Sequence, residues 1–141
     1  MIRRVACLFV IALILSSIAA AAAQDASKEK AAVAAAEKWL GMVDKGECAE
    51  SWKQAATYFR NSVTGQKWEQ AAESVRKPLD RLISRRLKTA VYKASLPGAP
   101  DGEYVVMQFD SSFANKKLAV ETVSTVLDKD GKWRVVGYFI R

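Results

Sequence analysis

The stretch EYVVMQFDSSFANKKLAVETVS, residues 103–124, decides the fold. Two runs of β-branched and aromatic residues alternate with a period of two, and Ala114-Asn115-Lys116 divides them. That pattern predicts an antiparallel hairpin. Just upstream, Leu96-Pro97-Gly98-Ala99-Pro100-Asp101-Gly102 concentrates the residues that stiffen a turn. It reads as a tight polar bend before a strand, with a binding loop as the alternative. Downstream, Asp128-Lys129-Asp130-Gly131 predicts another hairpin turn, in which Gly131 supplies a positive φ. Its two aspartates do not make a calcium loop, because the further acids are missing and the twelfth position would be Gly137. Four strands are expected, at about 86–95, 103–113, 117–127 and 132–140.

The preceding half of the chain changes period. Val33, Ala36, Leu40 and Val43 recur at helical spacing and predict a helix over about Ser27–Asp44, stopped by Gly46. Cys48, Trp52, Ala55 and Phe59 predict a second helix over about Glu47–Phe59, and Asp44 with Glu47 resembles a capping box. A third begins after Thr64 and runs through Trp68, Ala71, Ala72 and Val75, with Pro78 kinking it or opening a further turn. Trp39, Trp52 and Trp68 are expected to meet in the core or at its rim as packing groups, with ligand stacking as the alternative. Helices followed by strands, without a linker or repeat, indicate one α+β domain: about three N-terminal helices packed on a curved four-stranded antiparallel sheet.

The first 23 residues read as an export signal. Arg3 and Arg4 precede an apolar run from Val5 to Ile18, and Ala19 to Ala23 supply the small residues of a cleavage site before Gln24. The alternative is an apolar segment retained as an inner-membrane anchor. Cleavage leaves 118 of the 141 residues as a single domain over 24–141, and the formal charge falls from +7 to +5 as Arg3 and Arg4 depart. The expected location is periplasmic or secreted. A basic balance there suits anionic surfaces or ligands, and nucleic acid is not an expected partner. Cys7 leaves with the signal, so Cys48 reads as a small buried apolar residue or as a thiol that pairs with another chain.

The chain contains no histidine, which removes the ordinary serine triad and most zinc sites. It also lacks a Gly-x-Ser-x-Gly elbow, a phosphate-binding loop, a Cys-x-x-Cys pair and a dinucleotide fingerprint. No cofactor or metal is expected.

LPGAPDGEYVVMQFDSSFANKKLAVETV, followed by DKDGKWRVVGYFIR, resembles the bacterial family called domain of unknown function 4019. SWKQAATYFR and WEQAAESVRKPLDRLISRRL fit the same pattern, so the resemblance covers about Ala31 to Arg141. It implies a short exported protein and carries over no catalytic residues. The order of helices and sheet is also similar to cystatin-like and nuclear-transport-factor-2-like folds, by analogy of architecture alone.

Strand parity places Val105, Met107, Phe109, Ser111 and Phe113 on one face, and Tyr104, Val106, Gln108, Asp110 and Ser112 on the other. In the last strand Arg134, Val136, Tyr138 and Ile140 share a parity. Neither face of the sheet alternates cleanly, so both are expected to be partly covered. Tyr104, Gln108, Asp110, Glu121, Arg134 and Tyr138 form a candidate pocket on the second face. Asp110 and Glu121 are the carboxylates that would divide acid and base work. The competing reading is a solvated face with Glu121 and Arg134 as an ordinary ion pair. Lys77, Arg81, Arg85 and Lys88, at helical spacing, form a candidate stripe for anionic lipid or envelope polymer, or else a solvated face. The expected function is an exported binding or interaction module without catalysis. Its partner would be a small ligand, an envelope polymer, an anionic membrane surface or a second copy. The alternatives are a pocket enzyme using Asp110 and Glu121, and an oligomeric envelope protein.

Overall fold

The computed structural model describes residues 2–141, with side chains from Ser17 onward. Its first helix, α1 (Ile2–Asp44), is unbroken. The expected start at Ser27 is therefore corrected: the alanines on both sides of it are strong helix formers, and no breaker interrupts them. Most of the expected 1–23 leader lies outside the described side chains. Among the described residues, no helix is long and apolar enough to cross a membrane. Gly46 ends α1 at φ 75°. Its N–H donates to the Val43 carbonyl (3.0 Å), and the Glu47 N–H reaches back to that of Met42 (2.9 Å). This pair of bonds satisfies the carbonyls left over at a helix end. The expected capping box does not form. The Glu47 side chain makes no cap bond, and Asp44 turns inward instead.

The single second helix expected over 47–59 is two helices, α2 (Cys48–Gln54) and α3 (Thr57–Ser62). Ala55 and Ala56 between them are extended and buried, and the Ala56 N–H donates to the Val135 carbonyl (2.8 Å). Methyl side chains let this backbone lie directly on the sheet. The last α-helix, α4 (Gly65–Arg76), is capped by Thr64, whose hydroxyl accepts from the Lys67 N–H (3.2 Å). A 3-10 turn, Lys77–Leu79, takes Pro78 near its start. Asp80, at φ 59°, then swings the chain into the sheet.

The strands are β1 (Leu82–Lys93), β2 (Tyr104–Phe113), β3 (Lys116–Leu127) and β4 (Trp133–Ile140), antiparallel in the order β1-β2-β3-β4. The α+β architecture thus matches the expectation, although β1 starts earlier than 86. Ala32, Ala36, Leu40 and Val43 of α1 pack against Val105, Met107, Phe109, Val123 and Val135. The two alanines bring the helix axis close to the sheet. Among the described residues none before Ala32 is buried, so the described core begins after residue 23. Trp39 and Trp68 meet with ring centroids 5.5 Å apart, and Tyr138 stands edge-on to Trp39 at 5.5 Å. Ser51 anchors both indoles: its carbonyl accepts from Trp39 Nε1 (2.8 Å) and its hydroxyl from Trp68 Nε1 (2.9 Å). Trp52 stays at the rim, its Nε1 donating to the Val63 carbonyl (2.7 Å).

Register separates the two faces. Opposite residues on antiparallel neighbours share a face. Phe109 opposite Glu121, Met107 opposite Val123 and Val105 opposite Thr125 form the inner face, under α1. Asp110 opposite Val120, Gln108 opposite Thr122 and Tyr104 opposite Val126 form the outer face. A bulge interrupts β4: Thr125 faces Val135, but Ser124 faces Gly137. The extra residue reverses the parity, so Val135 and Tyr138 are both inner while Arg134 and Phe139 are outer. The shared parity expected for Arg134 and Tyr138 is corrected on this ground. The outer face is covered only in part, by α3 and the 96–102 bend over Tyr104. On the outer side Leu118 is 90% exposed, Phe139 54% and Val91 45%.

Candidate functional site

The six residues expected to share a pocket fall into three places. Glu121 and Tyr138 are on the inner face, Gln108 and Asp110 in the middle of the outer face, and Tyr104 and Arg134 at its far end. Asp110 and Glu121 therefore point to opposite sides of the sheet and cannot share one substrate. The expected Glu121–Arg134 ion pair is also absent, because each has other partners.

Glu121 is wholly buried and fully engaged. Arg85 reaches it from β1, with Nε 2.7 Å from Oε1 and Nη2 3.1 Å from Oε2. The hydroxyls of Ser111 and Tyr138 donate to the same carboxylate. Arg85 also grips Asp44 at the end of α1 with two bonds, 2.7 and 2.9 Å, and Arg76 of α4 donates to Asp44 at 2.8 Å. Arg76 lies over the Phe113 ring, 4.8 Å from its centroid. Two carboxylates and two guanidiniums thus balance in charge and tie α1, α4 and all four strands together. Burial alone would raise the Asp44 carboxyl, but the bonds from Arg85 and Arg76 hold it below the usual carboxylate range. Burial, with the Glu121 charge added, pushes the Tyr138 hydroxyl well above the ordinary tyrosine value. The cluster clamps the helices to the sheet, and within it Arg76 Nε and Nη1 are buried without an acceptor.

The candidate stripe is dispersed. Lys77 sits on the 3-10 turn, Arg81 precedes β1, Arg85 is in the buried clamp, and Lys88 occupies a β1 bulge beside Asp110. Helical spacing failed because the chain becomes a strand at Leu82. Cys48 is 6% exposed, and burial pushes its thiol up, so it is not presented for pairing with another chain. Among the described residues, no group of three or more potential ligands is placed to hold a metal ion.

The far end of the outer face is concave. There α3 and the 96–102 bend wall a cleft of about 500 Å³ over Tyr104, Val126 and Arg134. The bend folds over Tyr104, whose hydroxyl donates to the Pro100 carbonyl, and this contact buries the ring. Tyr58 of α3 supplies a second, half-exposed ring. Both aspartates of the β3–β4 turn are occupied. Arg134 holds Asp130 through two bonds, 2.7 and 2.8 Å, and Asp128 through one, 3.0 Å. Asp128 also accepts from the Thr57 N–H (3.2 Å), fixing the start of α3. The Arg134 bonds keep the Asp130 carboxyl ionised far into acid. Arg60 is different. Among the described residues its guanidinium has no carboxylate partner, only the Thr57 hydroxyl at 3.5 Å, and its Nε is buried without an acceptor. The arrangement offers the Tyr58 ring, an apolar floor and two cations, Arg60 and Lys129, without an ion-pair partner among the described residues, which suits holding a flat anionic molecule.

Sequence reasoning found Tyr104 and Arg134 and pointed to the bend, but it missed Tyr58, Arg60 and Asp128. Nothing in the spacing of those three marks them, since they converge only when α3 docks beside the β3–β4 turn. A family profile described as a protein of unknown function, DUF4019, matches residues 35–138. No curated protein and no solved structure matches the chain.

Proposed function

The chain belongs to the DUF4019 family, whose description assigns no activity, and from the geometry we propose that it is an exported, periplasmic binding module without catalytic activity. Its site is the cleft between α3, the 96–102 bend and the outer end of β3 and β4. One observation carries the reading: Arg60 is the cleft guanidinium that no carboxylate of the described residues neutralises, while Asp128 and Asp130 are already engaged. The ligand class is a small molecule with an anionic group for Arg60 and a flat apolar body for Tyr58, Val126 and Val136. The pocket-enzyme alternative loses its geometric basis, because Asp110 and Glu121 face opposite sides. Export is supported by the basic start, apolar run and alanine-rich end of the first 23 residues.

Calorimetric titration of residues 24–141 with small aromatic carboxylates, 4-hydroxybenzoate first, tests the reading. Binding is expected, with roughly a tenfold loss in Arg60→Ala, the size of a charge-assisted bond. If no aromatic carboxylate binds, and native mass spectrometry of protein taken from its own envelope shows no bound small molecule, the reading fails.

A further inference from the structure

The opposite end of the outer face, at the β2–β3 hairpin, plays no part in the cleft. Leu118 stands there 90% exposed, and Val120 and Phe139 continue an apolar strip on the same face. A single exposed leucine would need no explanation. This one lines an open depression of about 720 Å³ together with Arg86, Lys117 and Arg141. Among the described residues, no carboxylate is within ion-pair distance of Lys117 or Arg141. The acidic side chain that lines it, Asp110, is shared loosely by Arg86 and Lys88, each at 3.6 Å. The result is an apolar tip inside a ring of surplus positive charge.

We propose that this end docks on an anionic lipid surface. Leu118 enters the headgroup layer, while Lys117, Arg86 and Arg141 meet the lipid phosphates. The charge pattern favours this occupant over two others. A second copy on a two-fold axis would set these cations against themselves. A soluble anionic polymer would neutralise the cations but leave Leu118 in water. Eight residue steps along β3 separate Leu118 from Val126 in the cleft, roughly 26 Å of strand, so docking leaves the cleft open.

Co-sedimentation of residues 24–141 with vesicles tests the proposal. At low ionic strength the protein is expected to bind vesicles containing phosphatidylglycerol and not those of pure phosphatidylcholine, with release at high salt. Lys117→Gln should weaken binding roughly fivefold and Leu118→Asp roughly tenfold. Unchanged melting curves would show that both variants remain folded. Three outcomes overturn the proposal. The first is no binding to anionic vesicles at low salt. The second is binding that Leu118→Asp leaves unchanged, which marks a purely electrostatic patch able to take any polyanion. The third is a dimer in solution that Leu118→Asp dissociates, which assigns the face to a second copy. Arg60→Ala should leave vesicle binding intact, so this test and the cleft titration fail separately.

Discussion

Glu121 and Asp110 stand one register step apart on the same sheet and have opposite surroundings. Glu121 accepts from Arg85, Ser111 and Tyr138 in a site closed to water. Asp110 is half-exposed, and its two cations stay at 3.6 Å. A buried carboxylate is tolerated when its oxygens are fully bonded and its charge is matched, whereas an exposed pair contributes little. The side of the pleat, rather than residue type, therefore decides whether an acid holds the fold or only decorates it.

The sharpest way to break this contrast is Glu121→Ala. It leaves the Arg85 charge half-matched and two hydroxyls without their acceptor, and should cost about 3–5 kcal/mol in urea unfolding. A loss below about 1 kcal/mol would mean that the clamp is ornamental. Acid comes next. The folded Asp44 carboxyl is depressed, so its contribution is present above the ordinary value of 3.8 and is lost as the pH falls through the folded value. The urea midpoint should fall in that window, and Asp44→Asn should flatten the fall while lowering stability at neutral pH. The smallest effect belongs to Asp110→Asn, within about 0.5 kcal/mol. A larger loss would erase the distinction between the two acids.

The strands were legible because β-branched and aromatic residues alternate between clear turn signals, and Gly46 and Gly131 both take the positive φ expected of them. The helical spacing of α1 likewise named Ala36, Leu40 and Val43, which meet the sheet, but it chose Val33, which is partly buried, and missed the buried Ala32. Parity misled where the backbone slips. The β4 bulge gives no compositional signal, yet it sends Tyr138 inward and Arg134 outward. The charges of Ile83-Ser84-Arg85-Arg86-Leu87-Lys88 suggested a helical surface, because arginine is rarely read as a core residue. Arg85 is buried only because Asp44 and Glu121, from distant parts of the chain, meet it there. The cleft was half legible. Its prolines and glycines marked the bend, while Arg60 carried no mark at all.

The slip in β4 makes that strand a vernier. Were the same residues to run on without the bulge, Phe139 would stand opposite Glu121 and the phenol would be outside, leaving an acid next to a ring that has no proton to give. The slip at this point is thus as much a constraint as spelling. Homologous chains that keep the aromatic pair but drop the extra residue would keep the phenol inside with no bulge at all.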